Sequence, residues 1–303
     1  MNIIAKMKSL LVSRAFLQQE ANRVIYQLKA DMLTRSAILS KEPGVTDQKL
    51  CDSEVIVSLT TYGNRLYDVY LTIESIMQGT IKPNRIVLWL QEDMMNIKLP
   101  IYLQNQIKRG LEVSYCKDLK SFKKLIPTLH KYPDATIITI DDDVLYKEDV
   151  VEKLVNAYVD NPQYIYANRV HRIAIGSDGR PLPYNDWLWG AGKKEPSSLN
   201  FFTGVGGVLY PSHSMPIEVF DEDKFSTLCP HADDIWFYAM ALLNGFVVSK
   251  VYTHNPEGYD YYFTDDAYDD SLAKINVLNN ANDKQWNAVM KQYGLLDKLK
   301  QNV

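Results

Sequence analysis

Cysteine is scarce in this chain of 303 residues. The three cysteines, Cys51, Cys116 and Cys229, are odd in number and far apart, a pattern that fits a reducing compartment better than a disulfide framework. Long apolar runs are also missing: no segment is long enough to span a membrane as a helix, and the amino terminus has no uninterrupted signal-peptide core. We therefore expect a cytoplasmic protein.

Basic residues are not in excess either. The chain has 33 lysines and arginines against 37 aspartates and glutamates, with a formal net charge of -4, and it carries neither a basic stripe nor an aromatic RNA-binding signature. Nucleic acid is therefore not an expected partner. The Gly-x-x-x-x-Gly-Lys-Ser/Thr pattern of P-loop proteins is absent as well, so other residues would have to bind any phosphate ligand.

Strand-like and helix-like segments alternate over the first half of the chain. Apolar, β-branched segments indicate strands at 55–60, 85–90, 111–116 and 135–140. Amphipathic segments indicate helices at about 67–78, 101–109, 122–131 and 148–158, and segment 164–175 after them is strand-like. This alternation predicts a parallel, doubly wound sheet.

Three consecutive acids follow the apolar segment 135–140. Asp141, Asp142 and Asp143 would lie at the carboxyl end of a buried strand, where open α/β sheets hold their ligands. Clustered carboxylates repel one another, so a cation or a basic partner must compensate them if they are buried. Oxygen ligands suit Mg²⁺, Mn²⁺ or Ca²⁺. One acid could instead cap the next helix, but a cap needs only one acceptor.

A second acidic site begins an apolar helix that ends near residue 245. Asp233 and Asp234 lie in its first turn, where carboxylates either do chemical work or simply stabilise the helix end. The strand expected at 246–252 leads to His254. A lone histidine is more often structural than a ligand, but its position after this helix makes both readings open.

Two segments between the acidic sites are candidates for ligand contacts. The long irregular segment 176–200 carries Tyr184, Asp186, Trp187 and Trp189, which would either stack on a sugar or pack beneath the loop. The glycine-rich segment 201–211 allows a ligand to approach the backbone closely.

The amino-terminal segment 1–42 has apolar residues near helical spacing, and its basic residues outnumber its acidic ones. Two roles are open for this arm. It could contact the inner face of a membrane peripherally, or it could pack on its own domain or on a second subunit of a homodimer.

Four motifs, taken in order, resemble one family. They are Val55-Ile-Val-Ser-Leu-Thr-Thr-Tyr-Gly63, Ile140-Asp-Asp-Asp143, Gly204-Val-Gly-Gly207 and Ala232-Asp-Asp-Ile-Trp236. Together they resemble the nucleotide-sugar glycosyltransferases of the GT-A fold, and most closely the bacterial family-2-like enzymes that build capsule or lipopolysaccharide glycans. The resemblance implies an α/β fold with a doubly wound mixed sheet flanked by helices. We expect a helical arm over 1–48, a catalytic domain over 49–256 and a helical extension over 257–303.

The resemblance also implies roles for individual residues. The family's Asp-x-Asp motif binds Mn²⁺ or Mg²⁺ and the donor nucleotide, and it falls on Asp141 and Asp143, with Asp143 the more direct ligand. A downstream histidine that contacts the metal would be His254, and the base of inverting transfer would be Asp234. The remaining donor contacts would come from Thr60, Tyr62, Asp93, Asp142 and either Lys123 or Lys124, and the acceptor contacts from Trp189, Gly206, Gly207 and Asp233.

The implied substrates are a nucleotide-sugar donor, with a UDP-sugar favoured, and a glycan or lipid-linked acceptor. Asp233 departs from the family pattern, in which glutamate usually precedes the base. Two alternatives remain open: a sugar-nucleotide pyrophosphorylase, and a non-catalytic glycan-binding protein on the same fold. The first would need a Gly-rich, basic loop after the first strand, where residues 60–65 have one glycine and one arginine.

Overall fold

The computed structural model describes residues 3–254, 259–263 and 281–300. The strands are β1 (Val55–Thr60), β2 (Arg85–Gln91), β3 (Leu111–Cys116), β4 (Thr136–Thr139), β5 (Leu145–Tyr146), β6 (Ile165–Ala167), β7 (Val170–Arg172), β8 (Asn200–Phe202), β9 (Val208–Tyr210), β10 (Val248–Lys250) and β11 (Tyr261–Tyr262). The helices are α1 (Ile3–Leu39), α2 (Val69–Met77), α3 (Ile101–Ile107), α4 (Ile126–Lys131), α5 (Val150–Asp160), α6 (Glu222–Leu228), α7 (Asp233–Leu243) and α8 (Ala281–Gln292).

Seven strands form the central sheet in the order β10-β6-β9-β4-β1-β2-β3. β9 runs antiparallel to both of its neighbours, whereas the other pairs in this sheet are parallel. β5 pairs with β11, and β7 with β8, in two small antiparallel sheets. The predicted α/β fold with a doubly wound mixed sheet flanked by helices is therefore confirmed.

The sheet separates two apolar cores, one on each face. Ile56 belongs to the core that includes α4, α7 and α8, whereas its neighbours Val55 and Val57 belong to the core that includes α2 and α5. Because β1 is buried on both faces, its sequence is apolar at consecutive positions instead of alternating. Helices cover both faces, so the carboxyl ends of the strands are left as the place for a ligand.

Two predicted elements are divided in the structure. Segment 122–131, predicted as one helix, forms a 3-10 turn (Lys120–Lys124) and then α4, which has Pro127 in its first turn. A proline is tolerated there but not farther inside a helix, so α4 begins just before it. Segment 164–175, predicted as strand-like, forms β6 in the central sheet and β7 in a separate pair, a change of partner that no local pattern reveals.

The carboxyl-terminal half of α1 packs on the rest of the domain. Lys29 Nζ donates to Glu148 Oε1 over 2.9 Å, and Ser36 Oγ donates to Glu74 Oε1 over 2.7 Å. Ala37 is fully buried. Intramolecular packing, one of the two roles open for the arm, is therefore present. Within the described residues, no helix has the length and apolar character needed to cross a bilayer.

Part of the expected extension over 257–303 lies outside the described residues, in particular 264–280. Within it, α8 places Trp286 and Met290 in the same core as α7. The domain boundaries at 48 and 256 stay predictions.

Candidate active site

A cavity of about 860 Å³ lies at the edge of the sheet where β1 and β4 end. It contains most of the residues predicted for the site, namely Thr60, Tyr62, Lys124, Asp141, Asp142, Asp143, Trp189, Asp233 and Asp234. Four predicted residues are absent from the part of its lining that the structure describes: Asp93, Gly206, Gly207 and His254.

Lys124 joins the two acidic sites of the sequence. Its Nζ lies 2.9 Å from Asp141 Oδ1, 2.8 Å from Asp233 Oδ2 and 3.8 Å from Asp234 Oδ1. The lysine comes from the end of the 3-10 turn before α4, and its side chain is 7% exposed. The neighbouring Lys123 contacts a different carboxylate, since its Nζ donates to Asp118 Oδ1 over 2.7 Å.

The charge of Lys124 is stabilised by its partners. Burial alone would lower the pKa of this ammonium group, but the charges of Asp141, Asp233 and Asp234 outweigh burial and hold the pKa well above its ordinary value. Lys124 is therefore a fixed positive charge between the strand edge and the start of α7. A buried charge of this kind needs all of its partners, because an unpaired one is costly.

Arg65 compensates the other two acids of the triplet. Its Nη1 lies 2.9 Å from Asp142 Oδ1 and 3.0 Å from Asp143 Oδ2. Thr61 Oγ1 donates to Asp142 Oδ2 over 2.5 Å. Neither Arg65 nor Thr61 was assigned a role from the sequence. Their position directly after β1, on the same edge as the acids, was the available signal, because buried acids require basic partners.

The carboxylates of the cavity still outnumber the basic side chains that pair with them. Burial, and then the charge of Asp141, raises the pKa of Asp143 to about 6. An excess of negative charge on carboxylate oxygens suits a hard divalent cation. The acids that share Lys124 and Arg65 are Asp141, Asp142, Asp143, Asp233 and Asp234.

The predicted metal ligands are only partly brought together. Within the described residues, no group of three or more His, Cys, Asp or Glu side chains is arranged to hold a metal ion. Asp141 and Asp143 do lie together at the cavity, and Mg²⁺ is often held by one or two carboxylates with substrate phosphates completing its shell. His254 is exposed, its ring packs edge-on against Tyr252 with ring centroids 4.9 Å apart, and it is absent from the described lining of the cavity.

Asp234 faces the cavity more openly than Asp233. The side chain of Asp234 is 28% exposed and that of Asp233 is 11% exposed. The backbone N–H of Gly204 donates to Asp234 Oδ2 over 3.0 Å, which fixes the orientation of the carboxylate. Burial, together with the charges of Asp233 and Asp141, raises the pKa of Asp234 to about 7, against the lowering effect of Lys124. A carboxylate with a pKa near neutrality suits general acid–base chemistry.

The glycine-rich segment supports the site through its backbone. A Cβ at Gly204 would lie 2.5 Å from Lys124 Nζ, so a side chain there would force the lysine to shift from its present position. A Cβ at Gly206 would lie 2.7 Å from the backbone N of Arg169. Gly207 has φ +85°, a conformation that favours glycine. The predicted acceptor contacts at Gly206 and Gly207 therefore stay predictions, since both residues pack against protein.

The end of the cavity beside β1 and β2 carries residues suited to a nucleoside. The ring of Tyr62 is 56% exposed and lies 5.3 Å from the guanidinium of Arg65. Thr60 Oγ1 donates to the carbonyl of Trp89 over 2.9 Å. Gln91 lines the cavity at the end of β2, whereas Asp93 is exposed and is not among the lining residues.

The turn after β3 brings two more polar residues to this end. Lys120 has a left-handed backbone with φ 53°, which is uncommon for a residue with a side chain. Its backbone N–H donates to Asp118 Oδ1 over 3.0 Å. Both residues line the cavity, and neither was singled out from the sequence.

The opposite end of the cavity is lined by aromatic side chains. Trp189 is 43% exposed and stacks on His171 with ring centroids 5.2 Å apart. Tyr184 meets Trp189 at 5.9 Å in an edge-on arrangement. Trp187 is buried, and its Nε1 donates to the carbonyl of Leu182, so this tryptophan packs beneath the loop as the alternative reading of the sequence holds.

No family model and no curated protein matches this chain. Among solved structures, it is similar to a CMP:2-keto-3-deoxy-manno-octonic acid synthetase complexed with CTP, with a TM-score of 0.41, 12% identity, and 75% of this chain and 99% of that chain covered. It is also similar to S. aureus TarS 1-349, with a TM-score of 0.47 and 15% identity, and with 79% of this chain and 71% of that chain covered. The structure of S. aureus TarS 1-349 in complex with UDP has a TM-score of 0.46 and 15% identity, with 78% of this chain and 70% of that chain covered.

Proposed function

We propose that this protein transfers a sugar from a nucleoside-diphosphate sugar to a hydroxyl group of a glycan or lipid-linked acceptor, with inversion at the anomeric carbon. The observation that carries the proposal is the contact of one buried lysine, Lys124, with both acidic sites. It puts fixed positive charge beside Asp141 at the strand edge and within 3.8 Å of Asp234. A phosphate-binding region and a candidate base therefore share one cavity.

The reaction needs two things from the protein. The acceptor oxygen forms a bond to the anomeric carbon while the bond from that carbon to the phosphate oxygen breaks, and the electron pair stays on the nucleoside diphosphate. Lys124 and Arg65 lie where they would stabilise this charge. The proton of the acceptor hydroxyl moves to a carboxylate oxygen of Asp234, a contribution of about 10²–10⁴-fold in rate.

A divalent cation fits the same arrangement. Asp141 and Asp143 would hold Mn²⁺ or Mg²⁺, and the bound metal would stabilise the leaving diphosphate as a Lewis acid. The donor nucleoside would lie over Tyr62 and Gln91, the exposed ring and amide at the ends of β1 and β2. We favour a UDP-sugar as the donor and an acceptor built into a cell-surface polysaccharide.

The direct test is a set of incubations with nucleotide sugars, with and without Mn²⁺, followed by detection of the released nucleotide. Release of a nucleoside diphosphate by the wild type, and its loss in Asp234→Asn, is the expected result. Release of a nucleoside triphosphate when pyrophosphate is added would instead identify a pyrophosphorylase. Binding of UDP with no turnover of any donor would identify a non-catalytic protein.

The arm α1 adds a proposed contact with a second copy of the chain. Its exposed face carries an apolar stripe that is symmetric in sequence about Leu28. Val24 and Met32 lie at equal separations on either side of Leu28, and so do Leu17 and Leu39. An antiparallel pair of α1 helices centred there would bury the stripe and place Glu20 of each copy near Arg35 of the other. Among the side chains of α1 that the structure describes, the apolar stripe consists of Leu17, Val24, Leu28, Met32 and Leu39.

A further inference from the structure

Arg169 lies on the side of the acids opposite to the proposed nucleoside site. It follows β6, which is separated from β4 by β9 alone. At about 4.8 Å per strand, this places the end of β6 about 10 Å from the end of β4. Thr60 and Gln91 are the last residues of β1 and β2, on the other side of β4. A donor spread over β1 and β2 would therefore leave the region of Arg169 to the acceptor.

The backbone of Arg169 is held firmly in place. Gly206 packs so closely that a Cβ there would lie 2.6 Å from the Cβ of Arg169. The backbone N–H of Thr203 donates to the carbonyl of Arg169 over 3.1 Å. Arg169 Nη1 donates to Thr203 Oγ1 over 2.8 Å, so the side chain is oriented as well.

Unlike Lys124 and Arg65, Arg169 pairs with no carboxylate among the residues that the structure describes. Within the described residues it forms no ion pair, and its Nε is buried without a hydrogen-bond partner. Guanidinium groups bind carboxylate and phosphate with two parallel hydrogen bonds. Because Arg169 lines the cavity and pairs with no described acid, its guanidinium is available to an anion that the described residues do not supply.

The surroundings of Arg169 suit a sugar that carries the anion. His171 follows two residues later, and the Trp189 ring stacks on it at 5.2 Å. Arg169, His171 and Trp189 all line the cavity. Aromatic faces bind the apolar faces of sugar rings, while the guanidinium takes the charged substituent.

We propose that Arg169 binds an oxyanion, phosphate or carboxylate, on the acceptor, so that the acceptor is an anionic saccharide. That the bound molecule is the acceptor rests on the proposed function, whereas the anion site itself does not. The donor diphosphate is assigned to Lys124 and Arg65, which already lie among the acids at the strand edge.

The test measures the binding of three sugars to the full chain saturated with UDP and Mg²⁺, which is diamagnetic, by ligand-observed NMR titration. Glucose 6-phosphate and glucuronate are expected to bind at least about tenfold more tightly than glucose, as a charge-assisted hydrogen bond predicts. The two anions show whether phosphate or carboxylate is preferred. In Arg169→Gln the advantage of both anions should disappear, and in Arg169→Lys it should be reduced.

Arg172→Gln is the matched control. Arg172 lies nearby on β7, bonds to Asn200 Oδ1 over 3.1 Å and does not line the cavity, so its loss removes the same charge without touching the proposed site. Melting curves establish that each variant is folded. The anion preference should survive in this control.

The outcomes separate the inference from the proposed function. No preference for the anions in the wild type, or a preference that survives in Arg169→Gln, would overturn the assignment. A tenfold loss of UDP affinity in Arg169→Gln would overturn it too, because Arg169 would then belong to the donor. If the anion preference depends on Arg169 but no nucleotide sugar is turned over, the site stands and the transferase proposal fails.

Discussion

Lys124 Nζ donates to Asp141 Oδ1 over 2.9 Å and so ties the turn before α4 to the end of β4. Three adjacent acids in a sequence require compensation, either by a metal or by basic side chains. Here the positive charges of Lys124 and Arg65 compensate part of the negative charge of these acids. Because the acids remain in excess, a divalent cation bound with the substrate is compatible with the same arrangement.

Replacing Lys124 with methionine should destabilise the protein by about 3–5 kcal/mol, the cost of breaking a buried ion pair by removing one partner. Methionine nearly preserves the volume, so the loss would report the uncompensated carboxylates of Asp141 and Asp233. Urea unfolding measures the difference. Lys123→Met is the control: its partner Asp118 is 45% exposed, and the loss of a pair with a solvated partner should cost about 1 kcal/mol or less. Equal costs would contradict the special role of Lys124.

Replacing Asp234 with asparagine should lower sugar transfer by about two to four orders of magnitude while the affinity for UDP changes little. Asparagine keeps an oxygen for the Gly204 N–H but accepts no proton at neutral pH. Initial rates and UDP titrations on the same preparation test both parts. Asp233→Asn should affect transfer less, because Asp233 is turned toward Lys124.

Near-native transfer by Asp234→Asn would contradict its role as the base. The base would then be Asp233, or the mechanism would retain the anomeric configuration. NMR of the product distinguishes these outcomes, since inversion and retention give opposite anomers.

The fold was more legible in the sequence than the site. β1 and β3 were predicted with the bounds that the structure shows. β1 is buried on both faces and leaves a continuous apolar pattern in the sequence, whereas the half-buried β3 alternates apolar and polar residues. The acids at the strand ends were legible for the same reason, since they follow directly from where the strands stop. The resemblance to a family pointed to Lys124.

The arginines of the cavity were not identified from the sequence. Arg65 lies in a 3-10 turn after β1 and Arg169 follows β6, and apart from these positions after strands nothing local distinguishes them from arginines exposed to solvent. Their roles depend on residues far away in the chain: Arg65 meets Asp142, whereas Arg169 packs against Gly206. Such contacts are set by the order of the strands in the sheet, in particular by the insertion of β9 between β4 and β6.

The stability of the protein should fall as the pH decreases from 6.5 toward 3, in part through His171. Burial, and then the charges of Arg169 and Lys250, lowers the pKa of His171 to about 3. The ordinary pKa is 6.5, so in this interval the unfolded chain binds a proton that the folded chain does not. The contribution of neutral His171 to the free energy of unfolding is therefore complete above pH 6.5, and acidification removes it at about 1.4 kcal/mol per pH unit.

His171→Asn isolates this contribution from other titrating groups. The asparagine oxygen can replace Nδ1 as the acceptor for the Gly190 N–H, which now lies 3.0 Å away. Unfolding free energies of the wild type and the variant, measured at several pH values in the interval, should fall less steeply for the variant. Parallel curves would show that His171 does not remain neutral in the folded protein.

Replacing Leu28 with glutamate should dissociate the proposed dimer. Leu28 is 61% exposed and lies at the centre of the apolar stripe, so in an antiparallel pair it would face its own counterpart. Each copy would then bury an unpaired carboxylate, and we expect dimerisation to weaken by about a hundredfold or more. Light scattering over a range of concentrations measures the mass of the wild type and of the variant.

Gln27→Glu is the control for this last prediction, because it adds the same charge to the adjacent exposed position outside the stripe. It should leave the mass at that of a dimer, and Glu20→Lys should weaken the pair by placing like charge near Arg35. A wild-type protein that is monomeric at every concentration would contradict the pairing. If that monomer sediments with anionic vesicles, and Leu28→Glu abolishes the sedimentation, then the stripe contacts a membrane surface, the other role that the arm's basic composition left open.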